Sequence, residues 1–407
     1  MRTSLCLLMV GLSTFYFAQK TTDSLDSNVK TEGLQIQAQK PLANPPEKPI
    51  HFSVSGYFQT LYSHENFKEQ SSSSQFRLSH LFLTLKADAP KEKLSATVQF
   101  DFGLKDSFLD AWVSYKPKEN ITLSVGQKQT PLNNRELILK SSKVTFQDKS
   151  LLSSAFGGSG RELGVFGEMV LGKKQVKLVP QVALTSGDGR NVFNSDIGGL
   201  KYGARLDFYP FGFFKDQNAL SIGDLLHESS PKLAIGAAYS YNKGVSHKSG
   251  EGHGDFLFLD KNLNTVYPNY EKIYADLLFK YRGFSFFSEW AYASTLNNSA
   301  LVKHENGEDL KGEAKELYSY LSLGKAYNFQ VGYSFPKGLA VDFRLASTFP
   351  EFKDMQSSVL QKSSSYSLGL SKYFFHSKLK LHSAYSLIEH EKTGPSQRAD
   401  LYVSFFF

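Results

Sequence analysis

The sequence predicts an all-β membrane protein: a transmembrane antiparallel β-barrel of about 16 strands whose third external loop folds inward. Three observations carry this reading. Apolar and polar residues alternate with period two along most of the chain. Tight turns alternate with long polar loops. The 407-residue chain closes on Phe405-Phe406-Phe407. Composition agrees: aromatic residues make up 14% and 31 glycines accompany them, a β-forming bias. Apolar residues at 41% and charged residues at 21% exclude both a disordered chain and a bundle of membrane helices. Beyond the first 20 residues no apolar run is long enough to cross a bilayer as a helix.

In chain order, residues 1–18 read as a secretory signal peptide. Arg2 gives the positive end, Leu5 to Leu12 the apolar core, and Ala18 the small residue before Gln19. The only cysteine, Cys6, lies within it, so the exported chain is expected to carry no disulfide. Residues 19–50 are polar and end in Pro45, Pro46 and Pro49, which predicts a disordered periplasmic leader. Residues 51–407 are the barrel domain. In 94–102, Leu94, Ala96, Val98, Phe100 and Phe102 interleave with Ser95, Thr97, Gln99 and Asp101. The same alternation marks 121–126, 233–241 and 339–346, so each run puts one face against apolar matter and one against polar.

Such runs give 16 candidate strands. They begin near Phe52, Phe76, Glu92, Ser107, Asn120, Arg161, Lys174 and Leu200. The second eight begin near Pro231, Tyr270, Gly283, Ala326, Gly338, Ser364, Ser377 and Arg398. Short connections such as 87–91, 116–119 and 336–338 alternate with long polar ones, including 62–75, 130–160, 242–269 and 294–325. The exception is 211–230, a long connection on the short-turn side, bounded by Pro210, Gly212 and Pro231; a packed insertion is expected there. A soluble sandwich also alternates, but strand length, the even count, the loop asymmetry and the terminal aromatic favour a barrel in lipid. Sixteen strands enclose more space than side chains can fill, so the interior is expected to hold an aqueous channel.

Residues 76–161 resemble the phosphate-selective porin O and P family, in particular its Bacteroidetes-type outer-membrane members. The residues that carry this are Phe76-Arg77-Leu78, Leu83-Thr84-Leu85-Lys86, Val98-Gln99-Phe100-Asp101-Phe102, Asp110-Ala111-Trp112-Val113, Val125-Gly126-Gln127 and Thr130-Pro131. Tyr209-Pro210-Phe211-Gly212 and Gly223-Asp224-Leu225 resemble the family's long periplasmic connection. The resemblance implies a homotrimeric 16-stranded porin in the bacterial outer membrane, with 130–160 as the inward loop. It also implies contact with lipid and lipopolysaccharide, and a C-terminal aromatic read by the outer-membrane assembly machinery. Two positions depart from the pattern. Only Arg77 stands where the family's second strand has several arginines. Lys128 is displaced by one position, which in a strand turns it to the opposite face. Mild anion preference is therefore expected rather than tight phosphate capture.

With apolar residues facing lipid, the lumen face carries Lys86, Lys128, Lys177, Arg205, Lys280, Arg344 and Lys380. Against them stand Asp101, Asp110, Asp207, Asp276, Glu289 and Asp342. Seven against six does not decide ion sign. The 130–160 loop holds Arg135, Lys140, Lys143 and Lys149 against Glu136 and Asp148; with Lys128 and Arg161 flanking it and Arg77 on the second strand, these are the candidates for an anion path at a constriction. The bland alternative is solvated loop charges paired with Glu136 and Asp148. Asp260, Asn262, Asn264 and Glu271 have calcium-loop spacing, but Thr265 stands where that turn needs Gly, so an Asn-rich external turn is expected and no metal. No cofactor is implied. In His376-Ser377 and His382-Ser383 the partners point to opposite faces of a strand and cannot form a catalytic pair. The net charge of +7 is dispersed along the chain, which argues against a nucleic-acid partner. The resulting expectation is a non-enzymatic diffusion channel for small polar solutes or anions. The alternative is a barrel acting as a binding or adhesion module through its external loops.

Overall fold

The computed structural model describes residues 50–407 except 68–71, 91–92, 140–143, 147, 174, 194–197, 253–255, 257, 260–261, 263, 297–301, 306–307, 312–316, 353–357, 376 and 393. The signal and leader, Lys140, Lys143 and Asp260 thus lie outside the described residues.

Sixteen strands close into one antiparallel barrel. Its first half is β1 (His51–Phe67), β2 (Ser73–Asp88), β3 (Leu94–Asp101), β4 (Phe108–Lys118), β5 (Ile121–Gln129), β6 (Arg161–Met169), β7 (Lys177–Thr185) and β8 (Lys201–Tyr209). The second half is β9 (Lys232–Asn242), β12 (Asn269–Tyr281), β13 (Phe284–Leu296), β16 (Gly324–Phe335), β17 (Leu339–Pro350), β18 (Ser363–Phe374), β19 (Leu379–His390) and β20 (Gly394–Phe406). Each predicted strand start corresponds to one of these. The last moves furthest, because Gly394-Pro395-Ser396-Gln397 carries no apolar alternation and is held in the sheet by pairing with β19. Four short strands missed by periodicity, β10 (Phe258–Leu259), β11 (Thr265–Val266), β14 (Val302–Glu305) and β15 (Glu308–Lys311), form a separate sheet between barrel strands.

Closure satisfies backbone groups that lipid cannot. β1 pairs with β20 from Tyr57–Phe406 to Phe67–Ser396, and Phe407 exchanges two 3.0 Å backbone hydrogen bonds with Gly56. Glycine is needed at 56: a Cβ there would collide with the Phe82 carbonyl oxygen and lie 2.7 Å from the Phe407 ring. The alternation sorts as expected. Leu123, Val341, Phe343 and Leu368 point outward and are exposed, whereas Asp101, Ser124, Asp342 and Arg344 are buried inside.

Two segments pack against the inner face of the wall. The first, between β5 and β6, contains α1 (Arg135–Ile138) and α2 (Leu151–Phe156). The second, between β8 and β9, is the expected packed insertion, with a 3-10 turn at Asp216–Leu220. Lys280 of β12 holds it by donating to the carbonyls of Asn218 (2.5 Å), Ser221 (2.7 Å) and Gly223 (3.1 Å). The Asp224 carboxylate accepts from Asn218 Nδ2 (2.8 Å) and the Gly283 amide (2.7 Å). The two segments meet in one apolar cluster, where Leu139 packs with Phe214, Ile222, Leu278 and Phe287.

Leu368 sits midway along β18, outward and 58% exposed. A charge on a lipid face near the bilayer centre costs about 2–4 kcal/mol. Leu368→Arg should therefore lower stability by about that amount in urea unfolding from phospholipid vesicles; an unchanged midpoint would mean that this face does not meet lipid.

Candidate functional site

The candidate site is the space left between the 130–160 loop and the barrel wall. Its shape follows from where the loop is docked. Arg135 is buried, with Nη2 2.6 Å from Asp207 Oδ1 and Nε 2.5 Å from Asp276 Oδ1. Arg205 bonds the same two carboxylates, at 2.8 and 2.6 Å, so two guanidinium groups and two carboxylates form a neutral buried cluster. Beside it the Glu289 carboxylate of β13 accepts from Asn134 Nδ2 (3.1 Å) and from the Glu136 amide (2.8 Å). Glu136 in turn accepts from Ser150 Oγ at 2.6 Å and from Ser153, which ties the start of the loop to its second helix.

The far part of the loop docks on the other side of the barrel. Asp148 bridges Arg344 of β17 (2.7 Å) and Arg398 of β20 (2.6 Å). Burial raises the Asp148 carboxyl pKa, but the two arginines outweigh it and hold it below the ordinary carboxylate value. Phe146 lies under the Arg344 guanidinium at 4.6 Å, with its ring edge to His382. Lys380 donates to the Val144 and Thr145 carbonyls, and Lys272 and Tyr274 to that of Phe156.

What remains is a cavity of about 360 Å³ against the opposite wall. Leu137, Val144 and Lys149 line it from the loop. His80, Phe82, Asp101 and Arg161 line it from β2, β3 and β6, and Arg190 from the β7–β8 connection. His80 Nδ1 is 2.5 Å from Asp101 Oδ2, and Asp101 also accepts from the Leu81 and Gly103 amides at 3.0 Å. Arg161 Nε bonds Asp110 at 2.9 Å. The Lys149 ammonium donates to the Gly158 carbonyl at 3.4 Å. Burial lowers its ammonium pKa; Glu251 offsets part of this, while Arg161 and Arg190 add to it.

The sequence-based candidates therefore separate. Lys149 and Arg161 line the cavity. Arg135 does not: the wall acids Asp207 and Asp276 take it up as an anchor, a pairing that summing wall and loop charges separately could not reveal. Arg205 and Arg344 are anchors too. Lys128 projects inward into a smaller neighbouring cavity of about 220 Å³, 5.8 Å from the Trp112 ring and 5.2 Å from that of Phe166. Arg77, opposite Leu61 on the inner face, is exposed. Lys86 is an inner-face residue at a strand end, 2.8 Å from Asp88. The Glu271 carboxylate accepts from Tyr239 and Ser294, and Thr265 opens β11.

Sequence reasoning missed Arg190 and His80. The usable signal for Arg190 was the pair of glycines just before it. Gly187 and Gly189 have φ of 85° and 81°, in the left-handed region that favours glycine, and turn this external connection over the cavity.

No family model matches this sequence, and no curated protein does. Solved structures do match in fold. An anion-selective porin from Comamonas acidovorans aligns over 88% of this chain and 100% of its own, at 10% identity and a TM-score of 0.56. The outer-membrane channel DcaP of Acinetobacter baumannii aligns over 90% and 100%, at 12% identity and 0.54. An in-vitro folded OmpT of Vibrio cholerae, described in a trimer form, aligns over 88% and 99%, at 10% identity and 0.50. The chain shares the barrel fold of these outer-membrane proteins.

Removing one partner from a buried ion pair costs about 3–5 kcal/mol. Arg135→Ala should therefore free the loop and raise single-channel conductance; unchanged conductance would place the loop outside the path. Asp148 gives a pH test. A carboxyl held below its ordinary value of about 3.9 contributes stability that is fully present above that value and lost as pH falls through its own lower one. Resistance of the loop to protease should hold from pH 7 to pH 4 in the native chain and be lost at pH 7 in Asp148→Asn. Cleavage of the native loop at pH 5 would contradict this docking.

Proposed function

We propose that this protein is a porin of the bacterial outer membrane, forming a water-filled channel for small polar solutes with a mild preference for anions. The supporting observation is the charge state of the cavity beside the loop. Its acids are engaged, whereas Lys149 and Arg190 have no carboxylate within 4 Å among the described residues. Uncompensated positive charge in a narrow, low-dielectric passage raises the local anion concentration. With Arg77 as the sole arginine of the corresponding second-strand motif, multidentate phosphate capture is not part of this reading. The outward apolar face is the lipid contact, and a homotrimer is the assembly we assign. A binding or adhesion module is the second reading. It draws on the small external sheet and on the cluster of Phe258, Leu317 and Leu321 with Leu152 and Phe156, which roofs part of the barrel.

Planar-bilayer recording separates the two. A porin gives discrete open levels and, in a KCl gradient, a zero-current potential on the anion side that fades as salt shortens the Debye length to about 8 Å and below. Arg77→Glu with Arg190→Glu should move that potential to the cation side. If the double variant keeps the native potential, these side chains do not border the ion path. Absence of open levels would favour the adhesion reading.

A further inference from the structure

We propose that the cavity between the 130–160 loop and the β2–β6 wall is a binding site for small amphipathic carboxylates, monoanions with an apolar body. This rests on the channel reading and specifies its solute class. The 360 Å³ volume falls within the range of small-molecule sites, about 300–1,000 Å³. Its lining has two chemically distinct parts. Phe82, Leu104, Leu137 and Val144 present an apolar surface; Lys149, Arg161 and Arg190 present cations.

The acids that share this lining are committed elsewhere. Asp101 is held by His80 and two backbone amides, Asp148 by Arg344 and Arg398, and Glu136 by Ser150 and Ser153. Arg161 is shared with Asp110. Lys149 and Arg190 have no carboxylate within 4 Å among the described residues; Glu251 and Glu136 for the first, and Asp106, Asp110 and Asp101 for the second, offset their charge only from further away. Burial is the main cause that lowers both of their pKa values, and each lies in the repulsive field of Arg161. A bound carboxylate relieves that repulsion and supplies the anionic acceptor that neither cation has within 4 Å among the described residues.

The apolar part selects among anions. Inorganic phosphate and acetate gain the charge contact but bring little or no apolar surface, so they leave Leu137 and Val144 against water. A carboxylate carrying a ring or branched chain gains both contacts at once. A neutral alcohol of the same shape lacks the charge. Selectivity should therefore track the combination of the two features rather than either alone.

The test uses the full mature chain in planar bilayers, with cyclohexanecarboxylate as probe and acetate, inorganic phosphate and cyclohexanemethanol as comparisons at fixed ionic strength. Cyclohexanecarboxylate should block current at a concentration at least about tenfold below that of the other three, the scale of one lost charge-assisted contact. Lys149→Gln and Arg190→Gln should each raise its half-blocking concentration by about tenfold, and Leu137→Ser should raise it while leaving that of acetate unchanged. Equal block by all four solutes in a conducting channel would overturn the site and leave the porin reading standing. So would variants that keep the native half-blocking concentration. If no open levels are seen, the channel reading fails; calorimetry on the detergent-solubilised protein then decides the site, and the absence of saturable cyclohexanecarboxylate binding there overturns it.

Discussion

The interior of this barrel is organised by one buried charge cluster, in which Arg135 and Arg205 share the carboxylates of Asp207 and Asp276. An isolated charge in such a place is prohibitively desolvated; a neutral quartet with matched hydrogen bonds is tolerable. Three of its members project from the inner wall and one comes from the loop, so the wall is satisfied only when the loop is inside. Glu289 adds a second wall contact, its carboxylate accepting from Asn134 Nδ2 and from the Glu136 amide.

Loop docking then divides the lumen. On the β8–β13 side the loop meets the 210–231 insertion through Leu139, Phe214 and Ile222, and apolar contact fills the space. Further round, Asp148, Phe146 and the carbonyls of Val144 and Thr145 bind β17, β19 and β20. On the β2–β6 side a cavity of about 360 Å³ stays open against the loop, and Lys149 and Arg190, with no carboxylate within 4 Å among the described residues, border it.

Much of the fold was legible in the sequence because period-two alternation directly records a wall with lipid on one side and polar groups on the other. Leu123 against Ser124 and Phe343 against Arg344 are such pairs. The four short strands from Phe258 to Lys311 were not legible, since two- and four-residue strands carry too few periods. The site was only partly legible. Lys149 and Arg161 were found as basic residues of the loop and its edge. Arg135 was found by type and misplaced in role, because ion pairs joining positions 72 and 141 residues apart leave no local trace. Arg190 and His80 escaped because their importance comes from loop curvature and from the Asp101 carboxylate, both three-dimensional facts.

The docked loop places Leu137 on the cavity and, in the channel we propose, beside the ion path. This placement is tested by the reaction of Leu137→Cys, in a chain that also carries Cys6→Ser, toward an anionic membrane-impermeant thiol reagent in an open channel. Leu137 lines the cavity, so modification is expected to lower the current. Full current after mass spectrometry shows complete modification would contradict it.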